Sequence, residues 1–147
     1  MALISDKDAE LLRREFAERM TLPVKLVMFT QETECQFCAE TRQIVEELAG
    51  LSDKVTAEVF DLVADKAQVE RFGIDKIPAI VPVRVEEAGE RDYGIRFYGI
   101  PSGYEFTTLI EDLWDVSVGS TDLKPKTKQA LAKLDRPVHI QVFVTPT

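Results

Sequence analysis

The chain carries two cysteines, both in the run Thr33-Glu34-Cys35-Gln36-Phe37-Cys38-Ala39-Glu40. Thiols at this spacing can exchange with disulfides of other molecules, supply half of a metal site, or close a small structural loop. A staple across so short a loop removes little chain entropy. Zinc wants four ligands, and beyond the cysteines the sequence offers one histidine, His139, far along the chain. Redox exchange through Cys35 and Cys38 is therefore the leading reading, with no metal held by this chain alone. A zinc or iron–sulfur site shared between two chains is the rival class.

The elements around the pair decide what it can do. Apolar Ala9, Leu12, Phe16 and Met20 recur at helical spacing from Asp6 to Met20, with Ser5 and Asp6 as candidate caps and Thr21-Leu22-Pro23 as the stop. Val24 to Phe29 is almost continuously apolar and predicts a buried strand. After a polar loop, Cys38, Thr41, Val45 and Leu48 repeat in steps of three and four, which predicts a second helix closed by Gly50. Cys35 thus falls where a strand gives way to a helix, beside unpaired N–H groups and the positive end of the helix dipole. Both favour the thiolate, which is the nucleophile. Cys38, one turn further on the apolar stripe, is the resolving partner. Glu32 and Glu34 oppose thiolate formation, so a reductant-leaning couple is expected.

Further on, Val55 to Asp61 alternates as a strand and Ala64 to Phe72 suits a short helix. Pro78 to Val85 and Gly94 to Tyr98 read as strands joined by a turn at Glu87 to Gly89. Glu105 to Asp115 is amphipathic, with Phe106, Leu109, Ile110, Leu113 and Trp114 on one side. The order α-β-α-β-α-β-β-α predicts an α/β fold, a central mixed sheet flanked by helices.

The stretch after Val116 repeats the opening. A polar helix containing Thr127, Leu131 and Leu134 precedes PVHIQVFV, which matches PVKLVMFT from Pro23 to Thr30 at its proline, valine and phenylalanine. We expect one unit over residues 1–117, and over 118–147 the truncated start, a helix and a strand, of a second. A central strand without neighbours has open edges, so Val138 to Val144 is expected either to add to the edge of the first unit's sheet or, the more economical solution, to pair with its copy in another chain as a homo-oligomer.

Composition narrows the partners. Hydrophobic residues make up 45% and charged residues 30%, a globular balance, and the net charge of −8 disfavours nucleic acid and anionic membranes. The N-terminus reads as an amphipathic helix and not as a signal peptide, so a cytoplasmic protein is expected. Asparagine is absent while Glu and Lys are plentiful, which suits a thermophilic source.

FGIDKIPAIVPV resembles the thioredoxin stretch leading through its cis-proline strand, at Gly73, Ile74, Ile77 and Pro78, and Tyr98-Gly99-Ile100-Pro101-Ser102-Gly103 is similar to the glycine turn before the last thioredoxin helix. The whole chain resembles the protein disulfide oxidoreductases of thermophilic archaea and bacteria, glutaredoxin-like tandems of thioredoxin-like units. That resemblance implies a thioredoxin-like fold and reduction or isomerisation of protein disulfides through Cys35 and Cys38 without a cofactor. It implies disulfide-bearing substrate proteins and a thioredoxin-reductase-like electron donor as partners. It implies that Pro78 is cis and lies against the cysteines, with Ile77, Pro78 and Phe37 contacting an extended substrate. The sequence departs from thioredoxin in having Glu34 in place of a tryptophan and Phe37 in place of a proline. Where thioredoxin carries a buried aspartate and lysine, this chain has Phe29 and Val59. The proton of Cys38 then falls to water, Glu34 or Asp61.

Overall fold

The computed structural model describes residues 1–145; the last two residues of the expected second unit, Pro146 and Thr147, lie outside them. Helix α1 (Asp6–Arg19) starts where the Ser5 hydroxyl accepts the N–H of Asp8 at 3.2 Å, and it buries Ala9, Leu12 and Phe16. Strand β1 (Val24–Thr30) follows, with Val24, Leu26, Val27, Met28 and Phe29 at most 1% exposed. That continuous burial follows from its place in the middle of the sheet. It pairs in parallel with β2 (Val55–Asp61) on one side and antiparallel with β3 (Ala79–Glu86) on the other.

The strand order is β2-β1-β3-β4, where β4 is Gly89–Asp92, with a two-residue β5 (Phe97–Tyr98) also on β3. Side chains alternate across the sheet. Leu26 and Met28 join Ile80 in a cluster with Phe16, Val45, Leu48, Leu109 and Leu113 from α1, α2 (Cys38–Ala49) and α4 (Tyr104–Val118). Val27 and Phe29 join Val81 and Val83 on the other face, covered by Phe72 at the end of α3 (Lys66–Phe72) and by Ile74. The expected mixed sheet between helices is present.

Three local features differ from the sequence reading. The return strand of the hairpin is β4 (Gly89–Asp92), starting at the turn itself and not at Gly94. It is a polar edge strand held by ion pairs: Glu90 takes Lys25, and takes Arg71 at 2.8 Å. The chain leaves the sheet after Asp92, whose carboxylate accepts the N–H of Gly94 at 2.8 Å and both terminal nitrogens of Arg96. Only Phe97 and Tyr98 return to β3.

Helix α4 continues past Asp115 to Val118, so the expected break after residue 117 falls inside it. Ser117 is fully buried there; its hydroxyl donates to the Leu22 carbonyl at 2.6 Å and accepts the Thr21 N–H at 2.9 Å. Beyond it, the expected polar helix is α5 (Pro125–Ala132), which holds Thr127 and Leu131, stops short of Leu134 and buries no residue.

The expected strand at Val138 to Val144 is not formed. Its side chains are open to solvent, from 62% for Val138 to 89% for Phe143. Their counterparts in β1 are buried because strands flank β1 on both sides, whereas among the described residues no strand flanks residues 138–144.

Candidate active site

Cys35 and Cys38 are disulfide-bonded, with sulfurs 1.91 Å and Cα atoms 5.5 Å apart. Cys38 is the first residue of α2 and only 3% exposed, while Cys35, in the preceding loop, is half-buried. The cap residue Phe37 makes no side-chain bond to the helix end, which leaves first-turn N–H groups free to stabilise a sulfur anion. The Phe37 carbonyl accepts both the N–H of Thr41, at 3.0 Å, and its hydroxyl, at 2.7 Å. This holds the turn between the cysteines while the Phe37 ring stays 43% exposed. Glu34, immediately before Cys35, has φ of 57°, a left-handed conformation that costs a non-glycine residue about 1 kcal/mol or more.

The register of the sheet brings the proline to the cysteines. Ala79 pairs with Phe29, so Pro78 enters the sheet at the end where β1 runs out into the cysteine loop. The Ile77–Pro78 peptide bond is cis, as the resemblance implies. The Pro78 carbonyl accepts the N–H of Gly99 at 2.9 Å, whereas the backbone N–H and carbonyl of Ile77 make no hydrogen bond among the described residues. Ile77 and Pro78 therefore lie with the cysteine pair at one end of the sheet. On the loop just before them, the Lys76 ammonium sits 4.5 Å from the Tyr98 ring centre and pairs with Asp75 at 2.6 Å.

The proton acceptors named from the sequence fare differently. One oxygen of Asp61 accepts the N–H groups of Val63 and Ala64, both at 2.8 Å, so that carboxylate is engaged in its own turn. Glu34 is exposed. Phe29 is fully buried between Phe60 and Phe72, at ring-centre distances of 5.7 and 5.9 Å, an apolar stack where thioredoxin carries its aspartate. His139 lies in the exposed tail. Among the described residues no cluster of three His, Cys, Asp or Glu groups could hold a metal ion.

One group at the site escapes the sequence reading. A cleft of about 220 Å³ beside the disulfide is lined by Thr30, Gln31, Glu32, Cys35, Cys38, Ala39 and Arg42. Arg42 lies four residues after Cys38, one turn along the same helix, a spacing that by itself marks no site in the sequence.

No family model matches the chain. It is 29% identical over 104 residues to an NADH dehydrogenase of Bacillus subtilis, which covers 71% of this chain and 17% of that protein. It is also 29% identical over 90 residues to a probable thioredoxin of Methanothermobacter thermautotrophicus, covering 60% of this chain and 94% of the relative. Among solved structures it is similar to the alkylhydroperoxide reductase component AhpF of Enterococcus faecalis, with a TM-score of 0.75 at 27% identity. That match covers 88% of this chain and 60% of the other. A protein disulfide oxidoreductase from Aeropyrum pernix has a TM-score of 0.76 at 24% identity, covering 89% of this chain and 55% of its own. The fold is thioredoxin-like. This chain thus spans less than two thirds of both solved chains and a small part of the dehydrogenase. No helix among the described residues is long and apolar enough to cross a membrane.

Proposed function

We propose that the chain is a thiol–disulfide oxidoreductase that reduces or isomerises protein disulfides through Cys35 and Cys38. The observation that carries this is the bonded pair at the start of α2, at the same sheet end as the unpaired backbone of Ile77 beside Pro78. An extended substrate can pair with that backbone as an added strand, bringing its cystine to the exposed side of the pair, with Phe37 as an apolar contact.

The chemistry balances without a cofactor. In the dithiol form the Cys35 thiolate attacks one substrate sulfur, breaking the substrate S–S bond and forming a mixed disulfide. The first substrate thiolate leaves and takes a proton. Cys38, deprotonated by water, attacks the Cys35 sulfur and restores the Cys35–Cys38 disulfide as the second substrate thiolate departs. Two electrons pass from the dithiol to the substrate. Regeneration needs an external dithiol, and the donor we assign is a thioredoxin-reductase-like protein. Such a couple suits a reducing cytoplasm, and the composition suits a thermophile.

Residues 118–147 are read as the start of a second such unit. The aligned shares support this, because 88% and 89% exceed what residues 1–119 could supply.

Insulin reduction by dithiothreitol tests the activity. The protein should accelerate precipitation of the insulin chains and Cys35→Ser should abolish the gain; a wild-type chain without any gain overturns the proposal.

A further inference from the structure

We propose that Arg42 is the positioning residue of the cysteine cleft, holding Cys35 as a thiolate against the surrounding acidic groups. This rests on the reading of Cys35 as the nucleophile. Arg42 and Glu32 are the charged residues lining the cleft that both cysteines line. Arg42 stands on α2 four residues after Cys38, one turn along the helix. Glu46, one turn further on, accepts the Arg42 Nε–H at 2.7 Å and steadies the guanidinium. Its two terminal nitrogens make no hydrogen bond among the described residues. A guanidinium keeps its charge at every pH at which a thiol titrates.

The other charges at this end of the sheet do not replace it. Glu32 and Glu34 in the loop, Glu40 in the first turn of α2 and Asp61 at the end of β2 are anions. Lys76, on the loop before Pro78, pairs with Asp75 and the Tyr98 ring and does not line the cysteine cleft. Without Arg42 the acidic groups would leave only the helix terminus to favour the anion. The thiol would then remain protonated to higher pH, with a smaller nucleophilic fraction at neutrality.

The test is the pH profile of alkylation of the reduced full chain by a neutral reagent such as iodoacetamide, followed by mass spectrometry at Cys35. Arg42→Gln should move the midpoint upward by about half to one pH unit and slow alkylation near pH 7 about three- to tenfold. Arg42→Lys, which keeps the charge, should stay near wild type. Adding Glu32→Gln to Arg42→Gln should move the midpoint back down, and high salt should shrink every difference. A profile for folded Arg42→Gln that superimposes on wild type overturns the inference, as does an Arg42→Lys profile shifted as far as that of Arg42→Gln. Either result leaves the activity reading standing if insulin reduction persists, and a wild type inactive toward insulin sinks that reading whatever the profiles show.

Discussion

The backbone N–H of Gly99 donates to the carbonyl of Pro78 at 2.9 Å, across the β3–β5 pair. This uses the Pro78 carbonyl inside the protein and leaves the backbone of the preceding Ile77 as the free edge. Gly99 holds φ of 88°, which an L side chain rarely adopts, so Gly99→Ala should pull the turn out of place although a methyl group there would meet nothing. We expect a stability loss of about 1 kcal/mol in urea titration. KM for a disulfide-bearing protein should rise about three- to tenfold, with kcat changed less. An unchanged KM in the destabilised variant would separate this turn from substrate binding.

A second prediction concerns the closure of the unit. The Ser117 hydroxyl joins the end of α4 to the α1–β1 connection by accepting from Thr21 and donating to Leu22, and the Thr21 hydroxyl returns a bond to the Ser117 carbonyl at 2.9 Å. Ser117→Ala removes two bonds made by a fully buried side chain and takes the partner from the Thr21 N–H and the Leu22 carbonyl. The cost should be about 2 kcal/mol, read as a lower urea midpoint with an unchanged slope. Alkylation of Cys35 in the folded variant should keep its rate, because Ser117 lies outside the cysteine cleft.

Buried elements declare themselves in sequence more clearly than exposed ones. Val24 to Phe29 reads as a central strand because both of its faces are covered, and the helical steps from Cys38 to Leu48 place the cysteine pair before any fold is known. Strand β4 does not read this way: Glu90, Arg91 and Asp92 are polar because the edge faces water and salt-bridge partners, and no apolar alternation marks it. Arg42 was equally invisible, since a basic residue on a helix signals nothing until the fold turns it toward a cleft. In the tail the pattern shows what Val138 to Val144 require, burial between strands, but pairing is a property of neighbours and among the described residues no strand flanks that segment.

The N-terminal segment supplies a pH-dependent prediction. The Glu47 carboxylate on α2 accepts the N–H groups of Leu3, at 2.9 Å, and Ile4, at 2.8 Å, and the side-chain amide of Gln43 at 2.7 Å. Burial alone would raise its pKa; the hydrogen bonds from Ile4, Leu3 and Gln43 outweigh burial and hold it below the usual carboxylate range. Because the folded pKa is the lower one, this stabilisation is complete above the unfolded value, about 4.3 for Glu, and fades as pH falls through the folded value. Amide hydrogen exchange at Leu3 and Ile4 should quicken below about pH 4, relative to intrinsic rates. Glu47→Gln should show the faster exchange already at pH 7, and equal protection in both proteins at that pH would rule the anchor out.

The tail gives the last prediction. Helix α4 ends at Gly119, whose N–H closes on the Asp115 carbonyl at 2.7 Å, and every described residue from Ser120 onward is exposed. Removing residues 121–147 therefore takes nothing from either core cluster. The shortened chain should unfold within a few degrees of the full one and keep its insulin-reducing rate within about twofold. The full chain carries the opposite burden: Val138, Ile140, Val142, Phe143 and Val144 form a run of exposed apolar side chains on unpaired backbone. Such a segment gains by pairing with its copy in a second chain, so light scattering should show association that grows with concentration. A charge in the middle of the run, Val142→Asp, should suppress it, and the deletion should abolish it. A full chain that stays monomeric at high concentration would refute strand-mediated association, and a deletion that unfolds the protein would place the tail in the core of the first unit after all.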